Sequence, residues 1–152
     1  MASLSLRGLV PMAHVADVAL SIEFYHQLGF ETRDTLKPVD QIVWASMQNG
    51  KAHLMLTRSE KPMNPGAQDV LFYLYAADVV AYRDELAGRG IKVSALTYPF
   101  YMPGGEFSVD DPDGYCLLIG QSDEVRSSSE HVVRCANQSA RNRRTVSATS
   151  PC

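Results

Sequence analysis

The sequence is poor in the features that mark membrane-bound and disulfide-bonded proteins. It has three cysteines in 152 residues, an odd number without a C-x-x-C pair, so neither a disulfide framework nor a zinc knuckle is indicated. No apolar run approaches the roughly 20 residues of a membrane span, and the N-terminus lacks the charged and then apolar pattern of a secretory signal. These absences predict a cytoplasmic protein without a membrane partner, in which Cys116 is buried and reduced.

The sequence also lacks a basic surplus. Residues 1–121 contain nine Lys and Arg against fourteen Asp and Glu, a net charge of −5, whereas residues 122–152 carry five Arg against three acids, a net charge of +2. Because phosphate backbones are bound by basic surfaces, the acidic part argues against a nucleic-acid partner. The same charge favours a cationic ligand, although a modest negative charge also serves simply to keep a protein in solution.

What the sequence does contain is a clear hairpin in its second half. Residues 106–109 alternate polar and apolar side chains, which predicts a strand with one polar and one apolar face. Residues 111–114 are Asp-Pro-Asp-Gly, a tight-turn signal, because proline presets one φ and glycine adopts a positive φ without steric cost. Residues 115–119 then form a predicted apolar return strand. A sheet with two unlike faces predicts a helix on one side and a cavity on the other.

An internal repeat organises the rest of the chain. A predicted strand, a helix with an aspartate cap and a terminal glycine, and a hairpin occur twice. The corresponding positions are Asp17 and Asp78, then Gly29 and Gly90, each displaced by 61 residues, and Gly50 and Gly114, displaced by 64. The repeat predicts an α+β fold of two fused βαβββ modules that form a curved mixed sheet around a cleft.

The predicted boundaries follow from this repeat. The domain spans residues 1–121, with modules at about 9–58 and 69–121. The predicted strands are 9–15, 31–36, 41–47, 52–57, 70–75 and 91–93, together with the hairpin described above, and residues 58–68 are predicted to be an exposed linker. Residues 122–152 have no aromatic residue and no sustained apolar periodicity, which predicts a disordered tail.

Two motifs carry a resemblance to a known family. Residues 17–30 resemble the D-x-x-x-S-x-x-F-Y-x-x-L-G-F signature of the vicinal oxygen chelate superfamily, and the strand and turn of residues 106–115 are similar to its second hallmark. That superfamily includes glyoxalase I, extradiol dioxygenases, fosfomycin-resistance enzymes and bleomycin-resistance proteins. The resemblance covers about residues 9–121 and implies the paired-module fold. It also implies a homodimer, since members commonly complete their clefts across two chains.

The resemblance further implies where metal ligands would lie. Metal-dependent members place His, Gln or Glu on the first and last strands of each module. The corresponding positions here are Val10, Leu54 or Met55, Leu71 or Phe72, and Leu118. None of these side chains can bind a hard or borderline divalent ion. The resemblance therefore implies the bleomycin-resistance-like branch, without a metal cofactor and with a role in antibiotic resistance.

Alternatives to metal-free binding remain open at this point. His14, His53 and Glu106 are the right residue types for a relocated divalent-metal site in a glyoxalase- or dioxygenase-like enzyme. His14 is otherwise a hydrogen-bonding residue at the cavity mouth or a structural histidine. Catalysis without metal would require Glu106 paired with Tyr98 or with His14, whereas Cys116 as a nucleophile has no visible base.

By alternation from the positions that the resemblance assigns to metal ligands, the cavity wall is expected to include Val10, Leu71, Cys116 and Leu118 besides the ligand-binding residues given below. Such an apolar lining with a few polar groups suits sequestration of a small hydrophobic, aromatic or cationic molecule, a function that requires no catalysis. Aromatic residues also commonly fill cores, and Glu106 either orients the ligand or bonds to a backbone group or a tyrosine. A third interpretation is an interaction domain with a collapsed cleft. The predicted ligand-binding residues are Met12, His14, Trp44, Met55, Tyr73, Tyr75, Tyr98, Phe100, Tyr101, Glu106 and Ser108.

Overall fold

The first half of the chain folds as one βαβββ module. A computed structural model describes residues 6–122, and the predicted tail beyond Ser122 lies outside the described residues. The four strands form one sheet in the order β1-β4-β3-β2, with β1 parallel to β4 and the other pairs antiparallel. The elements are β1 (Met12–Val15), α1 (Val18–Gln27), β2 (Glu31–Leu36), β3 (Trp44–Asn49) and β4 (Ala52–Arg58).

The second half repeats this arrangement in a shortened form. Its sheet has the order β5-β7-β6, with β5 parallel to β7, so residues 6–122 form two small mixed sheets and two helices. This confirms the predicted α+β class, although the sheets are separate. Residues 58–68 contain one short 3₁₀ turn, Pro65–Ala67. The elements are β5 (Leu71–Ala76), α2 (Val79–Gly88), β6 (Glu106–Asp110) and β7 (Cys116–Gln121).

The predicted strand at 91–93 is wrong. Only isolated bridges form there, from Val93 to Val109 and from Thr97 to Glu106. The segment that follows contains Pro99 and Pro103, which lack the N–H that a strand ladder requires, and two glycines that disfavour extended pairing. The second module therefore has a loop where the first has the full strand β2.

Both helices begin and end where the sequence predicts. The Asp17 carboxylate accepts hydrogen bonds from the N–H groups of Ala19 and Leu20, at 2.9 and 3.2 Å, and Asp78 caps α2 through Ala81. These bonds satisfy backbone donors that have no partner within a helix. Gly29 and Gly90 follow the helices with φ of 84° and 82°, a conformation that favours glycine. No helix among residues 6–122 has the length and apolar character needed to cross a membrane.

One apolar core joins the two modules. Alternate residues of each sheet point towards the helices, so that Ala13, Val15, Leu117 and Ile119 are buried in the same cluster as Tyr25. The other side chains of each sheet point to the opposite side, which we call the helix-free face. On the helix-free face lie Met12, His14, Trp44, Met55 and Thr57 in the first sheet, and Leu71, Tyr73, Tyr75, Glu106, Ser108, Cys116 and Leu118 in the second.

The turn between β6 and β7 fastens the modules together. The buried Asp111 carboxylate accepts a hydrogen bond from the Tyr25 hydroxyl at 3.0 Å, and Asp113 accepts one from the Ala16 N–H at 2.8 Å. The Tyr115 hydroxyl donates to the carbonyl oxygen of His14 at 2.9 Å. The sequence predicted this turn only as the end of a hairpin, and it proves also to be a contact between modules.

Candidate functional site

The helix-free face is unusually apolar for a surface. Met12, Leu71 and Tyr75 are 52, 51 and 53% exposed, whereas Trp44, Met55 and Tyr73 are half-buried. These residues occupy alternate positions on edge and central strands, so their shared orientation follows from the strand period of two. Within each sheet the structure thus brings the residues of the predicted wall to one side. Exposed apolar patches of this kind mark surfaces that contact a ligand or a partner.

Glu106 is the buried polar residue of this face. It is 5% exposed, and its two carboxylate oxygens accept hydrogen bonds from different tyrosines, Oε2 from the Tyr73 hydroxyl at 2.7 Å and Oε1 from the Tyr101 hydroxyl at 2.8 Å. Hydrogen bonds to an ionised acceptor are stronger than neutral ones and compensate part of the cost of burial. Of the roles that the sequence left open for Glu106, bonding to tyrosine hydroxyls is the one found.

The loop before β6 is held against the sheet. Glu106 and Thr97 exchange backbone hydrogen bonds of 2.8 and 2.9 Å, and the carbonyl oxygen of Gly105 accepts a bond from the Gln121 N–H. Phe100 and Tyr98 lie on this loop and are 69 and 62% exposed. The Glu106 carboxylate is bonded by Tyr73 and Tyr101, whereas Tyr98 packs beside Gly105. The pairing of Tyr98 with Glu106 as a proton-transfer couple stays a prediction.

The relocated metal site is not assembled. His14 and His53 lie on neighbouring parallel strands, but His14 pairs with Thr57, four residues from His53 and so about 13 Å away along the strand. Glu106 lies in the other sheet. Among residues 6–122, no three His, Cys, Asp or Glu side chains are grouped as they would be to hold a metal ion. The alternative site of His14, His53 and Glu106 is thus a wrong prediction for the described chain.

The positions that the resemblance assigns to metal ligands do not fit a metal either. Of the two pairs that the sequence left ambiguous, Met55 and Leu71 lie on the helix-free face, while Leu54 is buried in the core and Phe72 packs against it. Val10 and Leu118 complete the set. Each of these side chains is a hydrocarbon or a thioether, so the donors that a hard or borderline divalent ion requires are missing at every place.

Two open cavities adjoin the sheets. One of about 550 Å³ contacts Trp44, Thr57 and Arg58 at the end of the first sheet. The other, of about 380 Å³, lies between the modules and is lined in part by Phe30 and Tyr82. Neither of these two cavities reaches Glu106. Two predicted ligand-binding residues therefore line cavities large enough for a small planar molecule, Trp44 in the larger and Tyr75 in the smaller.

Cys116 is half-buried on the helix-free face. Burial raises the pKa of its thiol, and the nearby Asp110 carboxylate raises it further. Since the thiolate is the nucleophilic form, both effects oppose a role for Cys116 as a nucleophile.

Gly120 is the site residue that sequence reasoning missed. It stands opposite Glu106 on one side and Tyr75 on the other, and a Cβ placed there would lie 2.9 Å from the Tyr73 hydroxyl and 2.7 Å from Cε of Met102. The absence of a side chain lets Tyr73 reach the carboxylate. A glycine within an apolar strand run was the available signal, because it commonly marks a close approach.

Comparison with known proteins identifies relatives of this fold. A family model described as Glyoxalase/Bleomycin resistance protein/Dioxygenase superfamily matches residues 11–119. No curated protein sequence matches the chain.

Solved structures with the same fold include several antibiotic-binding proteins. A bleomycin resistance determinant encoded on the transposon Tn5 is 20% identical with a TM-score of 0.66, covering 78% of this chain and 99% of that one. A bleomycin-binding protein from Streptomyces verticillus, complexed with copper(II)-bleomycin, is 22% identical with a TM-score of 0.62. The match covers 80% of this chain and 100% of that protein. TnmS3, an antibiotic binding protein from Streptomyces sp. CB03234, is 19% identical with a TM-score of 0.62. The match covers 80% of this chain and 100% of TnmS3.

Proposed function

The chain belongs to the glyoxalase/bleomycin resistance protein/dioxygenase superfamily, and from that premise we propose that it binds and sequesters a small aromatic, hydrophobic or cationic molecule without a metal ion. The observation that supports this most is the chemistry of the helix-free face. Apolar and aromatic side chains are exposed there, while the positions assigned to metal ligands carry only Val, Leu and Met side chains.

The proposed binding mode is stacking on aromatic side chains with a few polar contacts. Trp44 lies beside a cavity of about 550 Å³, within the range of pockets that hold small molecules. Flat rings contribute a large contact area at little cost in side-chain entropy. Sequestration requires only affinity, so a face without a nucleophile or a metal is sufficient for it. The structural relatives named as bleomycin-binding proteins support this class of function.

Trp44 provides a direct assay because it is the chain's single tryptophan. Its fluorescence is titrated with bleomycin, with the planar cation proflavine and with neutral 2-naphthol. We expect saturable changes with at least one of these compounds and no requirement for added metal. A flat response to all three would contradict the proposal.

Two leucines supply a matched pair of variants for this assay. Leu71 is 51% exposed on the helix-free face, and Leu20 is 57% exposed on α1. Truncating each to alanine removes a similar exposed apolar side chain, so both variants should fold normally. Leu71→Ala should weaken binding several-fold by loss of apolar contact, whereas Leu20→Ala should leave it unchanged. Equal effects of the two substitutions would place the binding surface elsewhere.

We also propose that two copies of the chain pair through their helix-free faces. The second copy would then close the cleft over its ligand and cover the exposed apolar side chains that the ligand does not contact. Sedimentation equilibrium over a range of protein concentrations tests this directly. A dimer weakened by Leu71→Ala and unaffected by Leu20→Ala is expected, whereas a monomer at every concentration would contradict the pairing and leave ligand binding to a single chain.

A further inference from the structure

Among residues 6–122, no ion pair includes the carboxylate of Glu106. Its carboxylate is 5% exposed, and the ion pairs found among residues 6–122 join other residues, Arg33 to Glu31, Arg83 to Asp84 and Arg89 to Glu85. Two tyrosine hydroxyls supply its hydrogen bonds. A buried charge is costly unless it is paired or well hydrogen-bonded. An ionised Glu106 therefore places a negative charge beside two phenols, and no cation of residues 6–122 forms an ion pair with it.

The rings that receive this charge form a connected aromatic surface. The centroids of Tyr73 and Tyr75 are 5.1 Å apart, and those of Phe100 and Tyr101 are 5.6 Å apart with nearly perpendicular planes. Tyr73 and Tyr101 meet at one carboxylate, so the two pairs of rings adjoin. Tyr75 and Phe100 are more than half exposed, which leaves ring surface accessible to a ligand.

A phenol that donates to a carboxylate becomes richer in electrons, because successive hydrogen bonds polarise one another in a site of low dielectric constant. The face of an electron-rich ring attracts cations, and the attraction grows when water is excluded. Glu106 is buried and bonds to the hydroxyls of Tyr73 and Tyr101, so it can influence a ligand on those rings without touching it. The arrangement has the chemistry of a receptor for an organic cation and disfavours an anion.

We propose that this surface, defined by Tyr73, Tyr75, Phe100 and Tyr101, binds the ammonium head group of an organic cation, and that Glu106 is the positioning residue that sets this charge preference through Tyr73 and Tyr101. The proposal rests on the function proposed above and names the ligand class within it. Gly120 is required for the bond between Tyr73 and Glu106, because any side chain at this position would displace the Tyr73 hydroxyl from the carboxylate.

A pair of isosteric probes separates charge from shape. The probes are 4-(trimethylammonio)phenol and 4-tert-butylphenol, which differ in having a cationic nitrogen or a neutral carbon at the same place. Their dissociation constants are measured by NMR titration of the ¹⁵N-labelled full chain. We expect the cation to bind about tenfold more tightly, the size of one partly desolvated cation–π contact. Equal affinities would overturn the charge inference and leave the proposed function intact, whereas binding of neither compound would contradict both.

Two single-residue variants test whether Glu106 causes the preference for the cationic probe. Glu106→Gln should bring the ratio of the two dissociation constants close to one, mainly by weakening the cation. Asp110→Asn is the matched control, because Asp110 lies on the same strand and the same side but is exposed, and it should leave the ratio unchanged. If Asp110→Asn lowers the ratio as much as Glu106→Gln does, a general surface charge is responsible and the proposal fails.

Two further measurements keep the test decisive if Glu106→Gln folds poorly. Tyr73→Phe retains the ring and removes the hydroxyl that bonds to Glu106, so it should reduce the ratio while the neutral probe still binds. In the wild type, the ratio should persist at about 0.5 M salt, because a buried charge is screened less than an exposed one. A ratio that Tyr73→Phe leaves intact, or that salt abolishes, would overturn the role of Glu106.

Discussion

Removing the Tyr25 hydroxyl should destabilise the protein in a pH-dependent way. Tyr25 is fully buried, and its hydroxyl bonds to the buried carboxylate of Asp111 across 3.0 Å. The other carboxylate oxygen accepts the N–H groups of Asp113 and Tyr115, both at 2.9 Å. In Tyr25→Phe one oxygen of an ionised group loses its donor. A hydrogen bond to a charged group is worth about 1.5–3 kcal/mol, so we expect that loss in the free energy of unfolding at neutral pH.

The pH dependence follows from the pKa of Asp111. Burial raises this pKa above its ordinary value of 3.8, although the hydrogen bonds from Tyr115, Tyr25 and Asp113 lower it in part. A carboxyl whose pKa is raised on folding contributes stability below its unfolded pKa and loses that contribution as the pH rises through the folded pKa. Without Tyr25 as a donor the folded pKa rises further. The cost of Tyr25→Phe should therefore be full at about pH 7 and shrink towards about pH 4.

Tyr115→Phe is the matched control for this measurement. Its hydroxyl also joins the modules, but it donates to the neutral carbonyl oxygen of His14 at 2.9 Å, a bond worth about 0.5–1.5 kcal/mol. Urea unfolding followed by far-UV circular dichroism gives both costs at both pH values. The reasoning is refuted if Tyr25→Phe costs no more than Tyr115→Phe, or if its cost is the same at the two pH values.

Four other substitutions test the fold, each by the change in urea midpoint. Gly90→Ala should cost about 1–2 kcal/mol for its left-handed backbone alone, because no atom lies within 4 Å of the added Cβ. Gly114→Ala should cost clearly more, since its Cβ would lie 2.3 Å from the Pro65 carbonyl oxygen; equal costs would contradict the close approach. Asp17→Ala should cost about 1 kcal/mol through loss of the helix cap, and no change would argue against that cap. Leu56→Ala, at a fully buried position, should cost about 2–5 kcal/mol; a cost below that range would place Leu56 outside the core.

The sequence predicted those features that depend on local chemistry. The helix caps at Asp17 and Asp78 and the turn that ends in Gly114 follow from neighbouring residues, so each was placed correctly. The two faces of β6 were also predicted, because alternation alone decides which side chains share a side. The same alternation assigned Met55 and Leu71 to the candidate site once the strand registers were known.

Contacts between residues far apart in the sequence could not be predicted from sequence patterns. Tyr25 and Asp111 are 86 residues apart, and Tyr73 and Glu106 are 33 apart, so neither pair leaves a periodic signal. The missing strand in the second module has a similar origin. Residues 91–93 have the composition of a strand, but a strand also requires a partner, and the prolines that follow prevent a continuous ladder. The prediction of a relocated metal site failed because the sequence gives the types of its three residues but not their positions relative to one another.

The claim that this chain binds a small molecule without metal is tested most directly by one comparison. The dissociation constant for proflavine is measured by Trp44 fluorescence on a single preparation of the full chain, before and after treatment with a chelator. The donor chemistry of the helix-free face predicts the same constant in both states. Loss of binding after chelation, restored by one equivalent of a divalent ion, would contradict this account of the site.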